Sequence, residues 1–150
     1  MKSMWLVFVG VLFCAVAGAQ TNQIVFVCEH GSAKSVIAAT YFNKLAKERN
    51  IPWQAVARGT HPDAEISPKT RKLLADENLL DNTFTPQRLS QQDVDKAKQV
   101  FLFYALPESI LGGNKIHYWR DINTVNDDFR KLRDDILARV TPLIDSLAKQ

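Results

Sequence analysis

The sequence predicts an α/β protein of three layers, a four-stranded parallel sheet with helices on both faces. Two features carry that reading. Continuous apolar runs such as "IVFVC" at 24–28 and "QVFLFYA" at 99–105 have the composition of strands covered on both sides. Between such runs lie stretches whose apolar residues recur at helical spacing, and strands alternating with helices assemble into a parallel sheet.

The first stretch, residues 1–19, is read as lying outside the fold. Lys2 gives a short positive start, Trp5 to Val16 is almost wholly apolar, and "AGA" at 17–19 is a small-x-small cleavage site. The apolar run is short for a permanent bilayer span. A lipid-attachment reading needs a small residue before Cys14, where Phe13 stands. The expectation is a cleaved secretory signal, an exported and periplasmic protein with no stable membrane anchor, and a single domain over residues 20–150. An apolar content of 46% suffices for a real core at this length. A net charge of only +3, without a basic cluster, argues against nucleic acid as a partner.

Within the domain, "IVFVC" is the first strand. From Ser35 to Arg49 the period changes: Val36, Ile37, Ala39, Tyr41, Phe42 and Leu45 favour one side, Lys44, Lys47 and Glu48 the other. "WQAVARGT" is a second short strand ending at Gly59. Ser67 and Pro68 supply the N-cap and first turn of a helix to about Asn78. "SQQD" at 90–93 is a capping-box variant, with Asp for the usual Glu, that opens a short third helix. "QVFLFYA" and "KIHYW" are the third and fourth strands. From Asp127 onward, Phe129, Leu132, Ile136, Val140, Leu143 and Leu147 form a helical stripe that Pro142 should kink or break.

Cys28 ends the first strand and is followed by "EHGSAKS". Two readings compete for it. Free cysteine is often a buried, inert core residue. Yet ligands of open α/β sheets bind beyond the carboxyl ends of the strands, where Cys28 sits. A small-residue loop leading into a helix can turn its amides inward as an anion nest, and the helix adds its positive end. Such a setting favours the thiolate, the nucleophilic form of a cysteine. Lys34 puts a full positive charge on the rim, and the Ser35 hydroxyl can donate to sulfur. Together, Cys28 and the loop of Glu29, His30, Gly31, Ser32, Ala33, Lys34 and Ser35 describe a tetrahedral-oxyanion site above a nucleophile.

A cysteine, five residues, a cation and a serine, between a first strand and a first helix, resemble the low-molecular-weight protein tyrosine phosphatases and the thioredoxin-coupled arsenate reductases of the same fold. The resemblance continues in "RGT" at 58–60, "SPKT" at 67–70, "PQRLSQQDVDKA" at 86–97 and "HYWRDIN" at 117–123. It implies hydrolysis of a phosphate monoester, phosphotyrosine included, through a cysteinyl-phosphate. The partner is then a phosphorylated small molecule or a phosphoprotein, and no cofactor is needed. Cys28 is the nucleophile, and Lys34 and the loop amides hold the phosphoryl oxygens.

Three departures from the family pattern stand out. Lys34 replaces an arginine, and a mobile point charge does not reproduce a planar two-pronged grip. Losing one transition-state contact of this kind costs about 3 kcal/mol, roughly a hundredfold in rate. The Asp-Pro pair that carries the family's general acid is absent. Asp121, followed by Ile122, is the choice for that role, and Asn123, which has no acidic proton, is the competing position. His30 and Gly31 stand where the loop usually has Gly and Asn, so its bracing must differ. Arg58, at the end of the second strand, is considered as a partial stand-in for the missing arginine.

Two alternatives remain. An arsenate reductase would need an external thiol, because "FLFYALPES" offers Tyr104 where a relay cysteine is sought. A non-catalytic oxyanion-binding module would use the same nest without turnover. No metal site is expected, since His30 and Cys28 lack further ligands at suitable spacing.

Overall fold

A computed structural model describes residues 21–122 and 128–150. The leader assigned to residues 1–19, Asn123, and Asp127 lie outside the described residues. The elements run β1 (Asn22–Cys28), α1 (Lys34–Glu48), β2 (Trp53–Gly59), α2 (Pro68–Asp76), α3 (Gln91–Lys96), β3 (Gln99–Leu102), a 3-10 turn (Gly113–Lys115), β4 (Ile116–Tyr118) and α4 (Phe129–Leu147). All strands are parallel, in the order β2-β1-β3-β4.

The residues of β1 alternate between two cores. Ile24, Phe26 and Cys28 face the larger one, shared with α1, α2 and α4. Val25 and Val27 face a smaller one, closed by Val94 of α3 with Leu89, Ala97, Val100 and Leu102. Both faces of β1 are therefore dry, which is why its sequence lacks polar alternation. Aromatic rings tile the larger core around Phe26: Phe101 lies 5.4 Å from it and Trp119 5.7 Å, centroid to centroid.

Local chemistry sets the ends of the elements. Ser67 accepts from the Thr70 N–H at 3.2 Å, with Pro68 in the first turn. Ser90 and Asp93 form the reciprocal capping box: Ser90 accepts from the Asp93 N–H at 3.2 Å, and Asp93 from the Ser90 N–H at 2.9 Å. α1 and α2 are followed by Asn50 and Asn78, both at φ 57°, a left-handed conformation that asparagine tolerates.

Three expectations need correction. β3 ends at Leu102, although the Phe103 N–H still bonds to the Val27 carbonyl at 2.8 Å. β4 spans only 116–118. α4 runs through Pro142 without ending. Pro142 and Ala138, four residues before it, are both exposed, so water can serve the carbonyl that the missing N–H leaves without a donor. Among the described residues no helix is long and apolar enough to cross a membrane.

At the outer edge of the sheet, the Asn43 side chain of α1 bonds both backbone groups of Ala55. It donates to the carbonyl at 2.9 Å and accepts from the N–H at 2.7 Å. Further along β2, the Gly59 N–H bonds to the Gln87 carbonyl and the Leu89 N–H to the Gly59 carbonyl.

One contact positions the loop after β1. Gly31, at φ +61°, lies against Gly59, the last residue of β2. A Cβ on Gly59 would stand 2.7 Å from the Gly31 nitrogen, and one on Gly31 2.9 Å from the Gly59 nitrogen. Both obstacles are backbone atoms that cannot swing aside. Gly59→Ala is expected to lower the unfolding free energy by about 1–3 kcal/mol. Gly113→Ala, where φ is also +61° but nothing lies within 4 Å, should lose only about 1 kcal/mol. Urea unfolding of both variants checks this, and equal losses would remove close packing as the reason for glycine at 59.

Candidate active site

Cys28 ends β1 with only 6% of its surface exposed. Its Sγ accepts the Gly31 N–H at 3.2 Å and lies 3.1 Å from the Oγ of Ser35, a fully buried residue in the first turn of α1. Both groups can donate to sulfur, the arrangement that stabilises a thiolate. α1 starts after Ala33, with no side chain capping it, so its first-turn N–H groups stay available to an anion.

A cleft of about 190 Å³ opens above the sulfur, lined by Cys28, Glu29, His30, Ser32, Ala33, Lys34, Phe103 and Tyr104. The sequence-predicted loop and the end of β3 thus meet at one place. Partial burial pulls the Lys34 ammonium below the usual lysine range, and its charge interaction with Cys28 opposes that shift. The His30 imidazole stands 3.7 Å from a Glu29 carboxylate oxygen and 3.4 Å from one of Asp63. These groups are largely exposed, so the pairs contribute little to stability.

Two predicted residues are engaged elsewhere. Arg58 does not line the cleft. Its Nε and Nη2 both reach Asp93 Oδ1, at 3.0 and 2.9 Å, and its Nη1 bonds to the Ala57 carbonyl. Burial opposes the ionised form of Asp93, but the bonds from Arg58 and Ser90 outweigh it and hold that carboxyl below its usual range. Arg58 therefore ties α3 to β2. Arg88 likewise serves structure, donating to the Thr60 carbonyl. Among the described residues, Lys34 is left as the lysine or arginine that lines the cleft. Asp121, 64% exposed, pairs with Arg139 of α4 and is not among the residues lining the cleft.

Sequence reasoning passed over the segment that follows β2. The N–H groups of Thr60, His61 and Asp63 bond to the carbonyls of Cys28, Glu29 and His30 at 3.0, 2.7 and 2.9 Å, and the Ser67 N–H to that of Ser32 at 3.1 Å. Asp63 also accepts the Ser32 hydroxyl at 2.6 Å. The available signal was position: "THPD" at 60–63 leaves the carboxyl end of the strand next to β1, where loops around a site converge.

Cys28 is free, and no second cysteine stands among the described residues to take up a disulfide. Nor do they hold a group of three His, Cys, Asp or Glu side chains able to bind a metal ion.

No family model matches the sequence, and no curated protein matches it. Solved structures do resemble the chain. YfkJ from Bacillus subtilis superposes with a TM-score of 0.76 at 18% identity, over 89% of this chain and 98% of that one. A low-molecular-weight protein tyrosine phosphatase from T. tengcongensis does so at 0.73 and 17%, over 84% and 99%. An arsenate reductase from Archaeoglobus fulgidus reaches 0.65 at 24% identity, over 81% and 98%. The four-stranded parallel sheet and its helices are the fold shared by low-molecular-weight protein tyrosine phosphatases and arsenate reductases.

Proposed function

We propose that this protein hydrolyses phosphate monoesters, on a small molecule or a phosphoprotein, through a cysteinyl-phosphate intermediate. The observation that carries the reading is the position of the Cys28 sulfur. It lies at the floor of a small cleft, faced by the Gly31 N–H and the Ser35 hydroxyl, with the uncapped start of α1 and Lys34 beside it. In the first step the thiolate attacks phosphorus, and the bond from phosphorus to the leaving oxygen breaks as that oxygen takes a proton. In the second, water attacks phosphorus and gives its proton to the group that protonated the leaving oxygen, the phosphorus–sulfur bond breaks and the thiolate returns. Phosphate leaves, and no reductant is consumed. That economy suits a site with one thiol among the described residues, and the export expected from the sequence, better than arsenate reduction, which needs an external thiol in every cycle. A second reading, an oxyanion-binding module, draws support from Lys34 in place of arginine and from the pairing of Asp121 with Arg139.

The purified protein is expected to hydrolyse an activated aryl phosphate, and Cys28→Ser to fall to background. Phosphate binding without turnover by the wild type would move the protein to the binding-module reading.

Lys34 must be protonated to hold an anion. Burial makes it lose its proton at lower pH than a free lysine does. Inhibition by inorganic phosphate should therefore weaken as pH rises through a value below 10.5. It should persist over that range in Lys34→Arg, whose guanidinium stays charged. Parallel alkaline losses in both proteins would assign the effect to another group.

In this reading the proton donor is Asp121, which must leave its pair with Arg139 to reach the cleft. Asp121→Ala should slow hydrolysis of phenyl phosphate, a poor leaving group, by about a hundredfold while sparing an activated aryl phosphate. Equal rates on phenyl phosphate would transfer the role to Glu29 or His30, the acidic and imidazole side chains that line the cleft.

A further inference from the structure

We infer that Asp63 is a positioning residue for the anion nest, a clasp that sets the turn over which the loop amides converge. The inference rests on the proposed reading that residues 28–35 bind a phosphoryl group. Asp63 holds the loop at two points on either side of Gly31. Its backbone N–H bonds to the His30 carbonyl at 2.9 Å, and its carboxylate accepts the Ser32 hydroxyl at 2.6 Å. Ser32 is 3% exposed, so its hydroxyl has little water to turn to. The turn between the two points is the left-handed one at Gly31, whose N–H faces the Cys28 sulfur. Gly59 presses on the same residue from the end of β2. The peptide units whose N–H groups bind sulfur or anion are thus gripped between β2 and the segment that follows it.

The sign of the charge makes this arrangement informative. A carboxylate beside an anion site repels the anion, so electrostatics alone disfavours Asp63 there. A negative charge at that place is explained if the acceptor it offers to Ser32 gains more order in the loop than the repulsion loses. Hydrogen bonds to charged groups are among the stronger ones.

The two contributions separate by substitution. The readout is the inorganic phosphate concentration that half-protects Cys28 from iodoacetate, measured on the full chain well below its unfolding midpoint. Asp63→Ala removes charge and acceptor together, and Ser32→Ala removes only the donor. Each should raise the half-protecting concentration about tenfold. Asp63→Asn keeps an acceptor and drops the charge, so it should protect as well as wild type or better. The double variant Ser32→Ala/Asp63→Ala should lose no more than Asp63→Ala alone, because both single variants break the Ser32–Asp63 bond and only Asp63→Ala also removes the contact with His30. Asp63→Ala binding phosphate as tightly as wild type, or tighter, would overturn the clasp and leave a mere nearby charge. So would additive losses, an asparagine variant as weak as the alanine one, or a lower unfolding midpoint with unchanged phosphate protection. If Asp63→Ala does not fold, Ser32→Ala against Asp63→Asn decides: loosening in the first alone supports the clasp, and unchanged protection in both overturns it. Wild-type Cys28 that phosphate does not protect at all would instead sink the underlying phosphoryl-site reading.

Discussion

The approach of Gly31 to Gly59 is the contact on which the site depends. Two backbones meet there at a distance that admits no side chain, at the end of β1 and β2. Because they meet, the loop after β1 folds down on the end of the sheet, and the segment after β2 runs beside it closely enough for four backbone bonds. The same turn brings the Gly31 N–H back to the sulfur of Cys28. A loop that stood farther off would leave these carbonyls to water and the sulfur without its backbone donor. Stability of the fold and shape of the nest are one constraint at this point.

Around that constraint, positive charge is distributed in an unusual way. Arg58 and Arg88 both lie near the carboxyl end of β2, yet each is consumed by structure, one on Asp93 and the other on the Thr60 carbonyl. Lys34 faces the cleft in their place, half-withdrawn from water. A lysine there offers charge without fixed geometry, so under the proposed function orientation of an oxyanion falls to the amides of the loop and of the α1 start. Rigidity of the backbone then matters more than it would beside a guanidinium fork. The ties from residues 60–67 supply that rigidity.

Much of this was legible in the sequence because it is local. The buried strand β1 shows in "IVFVC", the caps of α2 and α3 in Ser67 and Ser90, and the anion loop in the small residues after Cys28. What escaped depends on partners distant along the chain. Arg58 looked free for the pocket because nothing in "VARGT" announces Asp93, thirty-five residues on. Asp63 was passed over because its partner, Ser32, belongs to a segment thirty-one residues earlier. Pro142 promised a kink or a break; the helix does not end there, because its exposed position lets solvent do the work of the absent N–H. β3 and β4 came out short because apolar runs mark burial, and burial continues past the last strand residue, as at Phe103 and Trp119, whose N–H groups still bond to the carbonyls of Val27 and Leu102.

The side-chain amide of Asn43 has a consequence that reaches beyond the single molecule. An exposed parallel edge is an adhesive surface, ready to add the strand of a neighbour. At Ala55 the amide mimics such a strand, offering one donor and one acceptor in the places where a second backbone would offer them. The bonds to Gln87 and Leu89 seal the next outward-facing residue but one, Gly59. The β2 border of the sheet is thus insulated by its own chain, which leaves polymerisation along that border without a template.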